Sequence, residues 1–209
     1  MDRHQILQRV RALGVVPVVR ASSGQEALQL VDALRQGGID VIELTMTVPG
    51  AVEIIRELAK AGGAIVGAGT VLDAETARAC ILAGAQFVVS PATDEATIAL
   101  CRTYGVPIMA GALTPTEVVR AWRAGSDMVK IFPCGAVGGA SYLRALKAPL
   151  PQIELIPTGG VSLDTAADFI KAGASAVGAG ADLVDPKKDK SYVTERARQY
   201  VAAVAKARG

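Results

Sequence analysis

A chain of 209 residues, 51% hydrophobic but only 4% aromatic, is long enough to bury one large core built mainly from Ala, Val, Ile and Leu. A formal net charge of +2 with no basic run interleaved with aromatics argues against nucleic acid, and no apolar stretch of membrane-spanning length escapes a charge or a Gly/Pro break. Cys80, Cys101 and Cys134 form no paired motif and His4 is the only histidine, so a transition-metal site is not expected; an odd cysteine count after a start without an apolar leader points to reduced thiols in a cytoplasmic protein.

In chain order, Met1–Leu13 reads as a short helix packed on one end of the fold. A strand-plus-helix unit then recurs about every 20–24 residues. The strand candidates are Val15–Arg20, Val41–Met46, Ile65–Val71, Gln86–Pro91, Pro107–Leu113, Met128–Pro133, Ile153–Thr158 and Ala176–Gly180. Helical patterns lie between them at Gln25–Gln36, Ala51–Ala61, Ala74–Ala83 and Leu163–Ala172, and Tyr192–Arg208 reads as the closing helix. Gly37, Gly62, Gly84, Gly105, Gly125 and Gly173 follow helices, where a left-handed C-cap is expected. Asp73, Thr114 and Ser162 are predicted N-caps, and Thr114 through Glu117 has capping-box spacing with Pro115 at the first helical position. The strands are apolar on successive residues, as parallel strands buried on both faces must be. Eight such units over residues 1–209 predict a single α/β domain, a (β/α)₈ TIM barrel. An open doubly wound sheet is the competing arrangement, disfavoured because an eightfold repeat needs no reversal of strand order.

Within the sixth strand candidate stands Lys130, a charge in an otherwise apolar run. An ammonium deprived of hydration is disfavoured, and the neutral amine is the nucleophile that forms a Schiff base with a carbonyl substrate. The plainer reading is a lysine whose stem is buried and whose head reaches water. The catalytic face of such a barrel is made by the C-terminal strand ends. There the sequence sets Arg20, Glu43 with Thr45 and Thr47, Gly69-Thr70, Ser90-Pro91, Lys130 with Phe132, Thr158-Gly159-Gly160 and Gly178 to Gly180. Glu43 and Lys130 pointing inward make either a buried ion pair that fixes geometry or an amine with a general acid/base. The glycines after the last two strands, Gly159, Gly160, Gly178 and Gly180, suit a phosphate at a helix N-terminus, with Arg20 adding charge. Gly67-Ala68-Gly69-Thr70-Val71 is only part of a dinucleotide fingerprint.

Ile42-Glu43-Leu44-Thr45, Gly67-Ala68-Gly69-Thr70-Val71, Val89-Ser90-Pro91, Val129-Lys130-Ile131-Phe132-Pro133 and Pro157-Thr158-Gly159-Gly160-Val161 occur in that order at strand ends. In these motifs, from Val15 to about Val184, the chain resembles the 2-dehydro-3-deoxy-phosphogluconate and 4-hydroxy-2-oxoglutarate aldolases. The resemblance implies a class I aldolase, commonly a homotrimer, that needs neither metal nor organic cofactor and works on a small-molecule 2-keto-3-deoxy sugar acid. It makes Lys130 the imine-forming residue and Glu43 the acid/base. It gives Thr70 the pyruvyl carboxylate, with Thr45 and Thr47 nearby, and it makes Pro91, Phe132 and Thr158 pocket wall. Two positions depart from many relatives: Thr47 stands in place of an arginine, and Ala181 in place of a serine. The expected reaction yields pyruvate and glyceraldehyde 3-phosphate. Cleavage of 4-hydroxy-2-oxoglutarate to pyruvate and glyoxylate, a sugar-phosphate isomerase or epimerase with Glu43 as base, and a non-catalytic phosphate-binding barrel are the alternatives.

Overall fold

The computed structural model describes residues 1–209. In chain order it comprises α1 (Arg3–Leu13), β1 (Val15–Val19), α2 (Gly24–Gln36), β2 (Val41–Thr45), α3 (Ala51–Ala61), β3 (Ile65–Gly69), α4 (Ala74–Ala83) and β4 (Phe87–Val89). There follow α5 (Glu95–Thr103), β5 (Ile108–Ala112), α6 (Pro115–Ala124), β6 (Met128–Ile131), a 3₁₀ turn (Cys134–Val137), α7 (Gly139–Lys147), β7 (Leu155–Pro157), α8 (Leu163–Lys171), β8 (Val177–Ala179) and α9 (Lys190–Arg208). All strands are parallel and run in sequence order around the sheet, with β8 beside β1. A parallel bridge between Thr158 and Gly178 brings β7 and β8 together, so the sheet closes into a single TIM barrel. That closure depends on glycine: a Cβ at Gly178 would lie 2.1 Å from Thr158 Oγ1.

Every residue of β1, β2, β3 and β5 is buried, because the barrel interior takes one face and the helical ring the other. At about 1.5–3 kcal/mol for each fully buried Val, Leu or Ile side chain, this run of aliphatic strands is the main source of stability. The strands are shorter than the apolar runs suggested, most of all β4, β7 and β8, since pairing stops where the chain turns toward the loops. Asp73 and Thr114 cap their helices as the spacing predicts, Thr114 in a capping box with Glu117. Gly37 is a correction. It is right-handed (φ −82°), and the left-handed residue is Gly38 (φ 91°). Gly37 is needed for space instead, because a Cβ there would come within 2.4 Å of Ala197 Cβ on α9.

Helix α1 covers the N-terminal end of the barrel, and three of its arginines grip carboxylates that stand immediately before strands. Arg9 Nε donates to both oxygens of Asp40 at 2.9 Å, ahead of β2. Arg3 Nε donates to Asp127 Oδ1 at 2.9 Å, ahead of β6. Arg11 holds Glu154 in a two-pronged pair at 2.8 and 2.7 Å, ahead of β7.

Candidate active site

Lys130 lies in β6, level with Gly111 of β5 and Ile156 of β7, and Glu43 lies in β2, level with Val18 of β1 and Gly67 of β3. Both point into the barrel, at 5% and 3% exposure, with Lys130 Nζ 3.5 Å from Glu43 Oε1. A lysine whose head reaches water is thereby excluded. The two groups attract as charges, yet Glu43 Oε1 is buried with no hydrogen-bond partner. Leaving such an oxygen unsatisfied costs about 1–3 kcal/mol or more, so the pair is a poor structural tie and holds spare accepting capacity. Gly69 makes the room, since a Cβ there would meet Glu43 Oε1 at 2.2 Å. The Phe132 ring stands 5.5 Å from Lys130 Nζ and forms a wall over it.

Directly after Gly69, Thr70 is the one non-glycine residue with positive φ (59°), a conformation costly for a β-branched side chain. Pro91 sits in a loop pinned to β5: Ser90 Oγ donates to Ala92 O at 2.7 Å and accepts from Gly111 N at 3.3 Å. Thr45 Oγ1 donates to Val19 O at 3.1 Å and lies 2.7 Å from Thr47 Oγ1. A hydroxyl has one proton. With Thr45's proton on the carbonyl, Thr47 donates to Thr45 and offers only lone pairs outward.

Beside Phe132, a cavity of about 220 Å³ is lined by Arg20, Thr158, Gly159, Gly160, Gly180, Ala181 and Asp182, among others. Gly159 (φ 82°) and Gly160 (φ 78°) are left-handed. The backbone N–H groups of Gly159, Gly160, Val161, Gly180, Ala181 and Asp182 donate to no other group of the chain. Amides that the chain leaves unpaired, beside an arginine, are the donor set an anion requires. Gly178, by contrast, is buried against Thr158, at the bridge that closes the barrel. Asp182 was not anticipated; the available signal was a carboxylate in the apolar run after the last strand. No three His, Cys, Asp or Glu side chains gather in a group that could hold a metal ion. The three thiols are free and buried, and burial pushes Cys134, in the loop after Lys130, up to about 11.

The sequence profile of the KDPG and KHG aldolases matches residues 6–198. The 2-dehydro-3-deoxy-phosphogluconate aldolase of Treponema pallidum (strain Nichols) is 38% identical over 167 residues, 79% of this chain and 78% of that protein. The 2-dehydro-3-deoxy-6-phosphogalactonate aldolase of Escherichia coli (strain K12) is 35% identical over 198 residues, 93% and 96% of the two chains. Among solved structures, the KDPG aldolase from Legionella pneumophila, with pyruvate captured as a covalent carbinolamine, superposes with a TM-score of 0.85 at 27% identity, covering 95% of this chain and 97% of that one.

Proposed function

The chain belongs to the KDPG and KHG aldolase family, and from that premise we propose that it is a class I lyase whose Schiff base forms on Lys130. Its substrate in this reading is 2-dehydro-3-deoxy-6-phosphogluconate or a close 2-keto-3-deoxy sugar acid. The observation that carries the assignment is the buried Lys130 amine 3.5 Å from an unpartnered Glu43 oxygen. The neutral amine attacks the C2 carbonyl, and the carbinolamine loses water to leave a protonated imine. Glu43, directly or through a water, takes the C4 hydroxyl proton. The C3–C4 bond then breaks, the aldehyde departs, and the electron pair enters the imine as an enamine. Protonation at C3 and hydrolysis release pyruvate and restore the lysine.

Thr70 takes the pyruvyl carboxylate in this reading, with Pro91, Phe132 and Thr158 as pocket wall. The amides of Gly159, Gly160 and Gly180, with Arg20, receive the phosphate, which makes glyceraldehyde 3-phosphate the second product. An isomerase using Glu43 as base leaves the buried amine without a covalent role, and the family does not favour it. The family resemblance makes a homotrimer the expected assembly in this reading. No helix is long and apolar enough to cross a membrane, and the free buried thiols suit a cytoplasmic setting.

Borohydride reduction in the presence of pyruvate is expected to add a three-carbon acid at Lys130, located by peptide mass mapping. Labelling at Lys147 or Lys171 instead, or no labelling, overturns the mechanism.

A further inference from the structure

We propose that Asp182 is a positioning residue for the phosphate end of the pocket, locking the loop after β8 to the first turn of α8; this rests on the phosphate reading given above. Asp182 directly follows Gly180 and Ala181. Its Oδ2 accepts from the Leu163 backbone N–H at 3.0 Å and from the Tyr200 hydroxyl at 2.6 Å. Arg196 Nη2 donates to both carboxylate oxygens at 2.8 and 3.0 Å, and its Nε donates to the Asp182 main-chain carbonyl at 3.2 Å. One residue thus joins the loop after β8, the N-terminus of α8 and the closing helix α9.

Two consequences bear on an anion in the adjoining cavity. The unpartnered amides lie on two separate loops, Gly159–Val161 after β7 and Gly180–Ala181 after β8. They converge on one phosphate only if those loops keep a fixed spacing, and the Asp182 to Leu163 bond spans them. The carboxylate also takes up the Leu163 N–H itself. That leaves the glycine-loop amides and Arg20 as the donors open to the ligand. A carboxylate beside a dianion would repel it, but Arg196 neutralises this one. Burial pushes the Asp182 carboxyl up, while hydrogen bonds from Tyr200, Arg196 and Leu163 outweigh it and hold the group below the usual range, so it stays ionised. Tyr200 is fully buried, and burial followed by the bond to Asp182 pushes its phenol far up, so it remains a donor.

The test compares KM for a phosphorylated 2-keto-3-deoxy acid with KM for its unphosphorylated counterpart, together with competitive inhibition by inorganic phosphate. Asp182→Asn keeps the shape but sets an amide against Arg196. It is expected to raise KM for the phosphorylated acid about tenfold more than for the other, and to weaken phosphate inhibition in parallel. Tyr200→Phe and Arg196→Lys should move the same ratio in the same direction by less, and they carry the test if Asp182→Asn does not fold. A lower melting temperature with an unchanged KM ratio in these variants would make Asp182 a fold contact alone and overturn the proposal. If the unmodified protein neither prefers the phosphorylated acid nor responds to inorganic phosphate, the phosphate reading fails, and this proposal with it.

Discussion

At the N-terminal end of the barrel, Arg3, Arg9 and Arg11 each meet a carboxylate at the foot of a strand, with hydrogen bonds of 2.7–2.9 Å. At the C-terminal end, Glu43 Oε1 accepts nothing, and a row of amides from Gly159 to Val161 and from Gly180 to Asp182 donates to nothing in the chain. Both ends are built from the same strands and the same kinds of residue. What separates them is hydrogen bonding: the carboxylates at the plugged end all accept bonds from α1, whereas Glu43 Oε1 and the loop amides at the other end have no hydrogen-bond partner in the chain. A buried polar atom without a partner is expensive, and Glu43 Oε1 is the one such side-chain atom in the chain, so it points to the proposed chemistry better than cavity size does. A groove of about 690 Å³, far larger than the cavity beside Phe132, is lined by Glu95 of α5 and by residues of α6, outside the barrel.

The sharpest way to break this contrast is to remove the open partners themselves. Lys130→Ala should abolish both borohydride trapping and turnover. Glu43→Gln keeps the shape and should leave trapping in place while turnover falls by about 10²–10⁴-fold. Near-normal turnover in Glu43→Gln would move the proton transfer to another group.

Much of this end was legible in the sequence, for a simple reason. A lysine or glutamate inside an aliphatic strand is conspicuous, and the barrel rule sends strand ends to one face, so Lys130, Glu43, Gly159, Gly160 and Gly180 could be placed at one end, while Gly178 packs on Thr158 instead. Asp182 could not. Its partners are 14, 18 and 19 residues away, on a helix whose pattern looks like ordinary surface and at the start of another helix. The contact of Thr45 with both the Val19 carbonyl and Thr47 was hidden as well, because it depends on the neighbouring strand. Nor did the sequence distinguish Gly37, kept for contact with α9, from the left-handed caps it resembles.

That threonine pair gives a finer test. With Thr45's proton on the Val19 carbonyl, Thr47's proton goes to Thr45 and not to a carboxylate, whereas an arginine would supply a charge-assisted bond about twice as strong as a neutral one. Thr47→Arg is therefore expected to lower the half-saturating pyruvate concentration for trapping by about tenfold. By the same argument, the natural protein should show a higher kcat/KM for the phosphorylated six-carbon acid than for 4-hydroxy-2-oxoglutarate. An unchanged pyruvate dependence in Thr47→Arg would place the carboxylate elsewhere, with Thr70 as the next donor to test.

The smallest effect should come from the satisfied end, and it should fall on stability alone. Arg11 and Glu154 are both partly exposed, with side-chain exposures of 38% and 30%, so water screens the pair. Arg11→Ala is expected to cost only about 0.5–1 kcal/mol at neutral pH and to leave kcat/KM within twofold. The hydrogen bond from Arg11 is the largest influence on Glu154 and holds its carboxyl below the ordinary glutamate range. A depressed acid contributes stability that is complete above its unfolded value and is lost as pH falls through its folded value. The difference in melting temperature between the natural protein and Arg11→Ala should therefore persist from pH 8 down to about 5 and shrink below about 4. A gap that stays constant into acid would mean that Arg11 acts through the packing of its stem on α1. A loss of activity at neutral pH would mean that the two ends of the barrel are coupled.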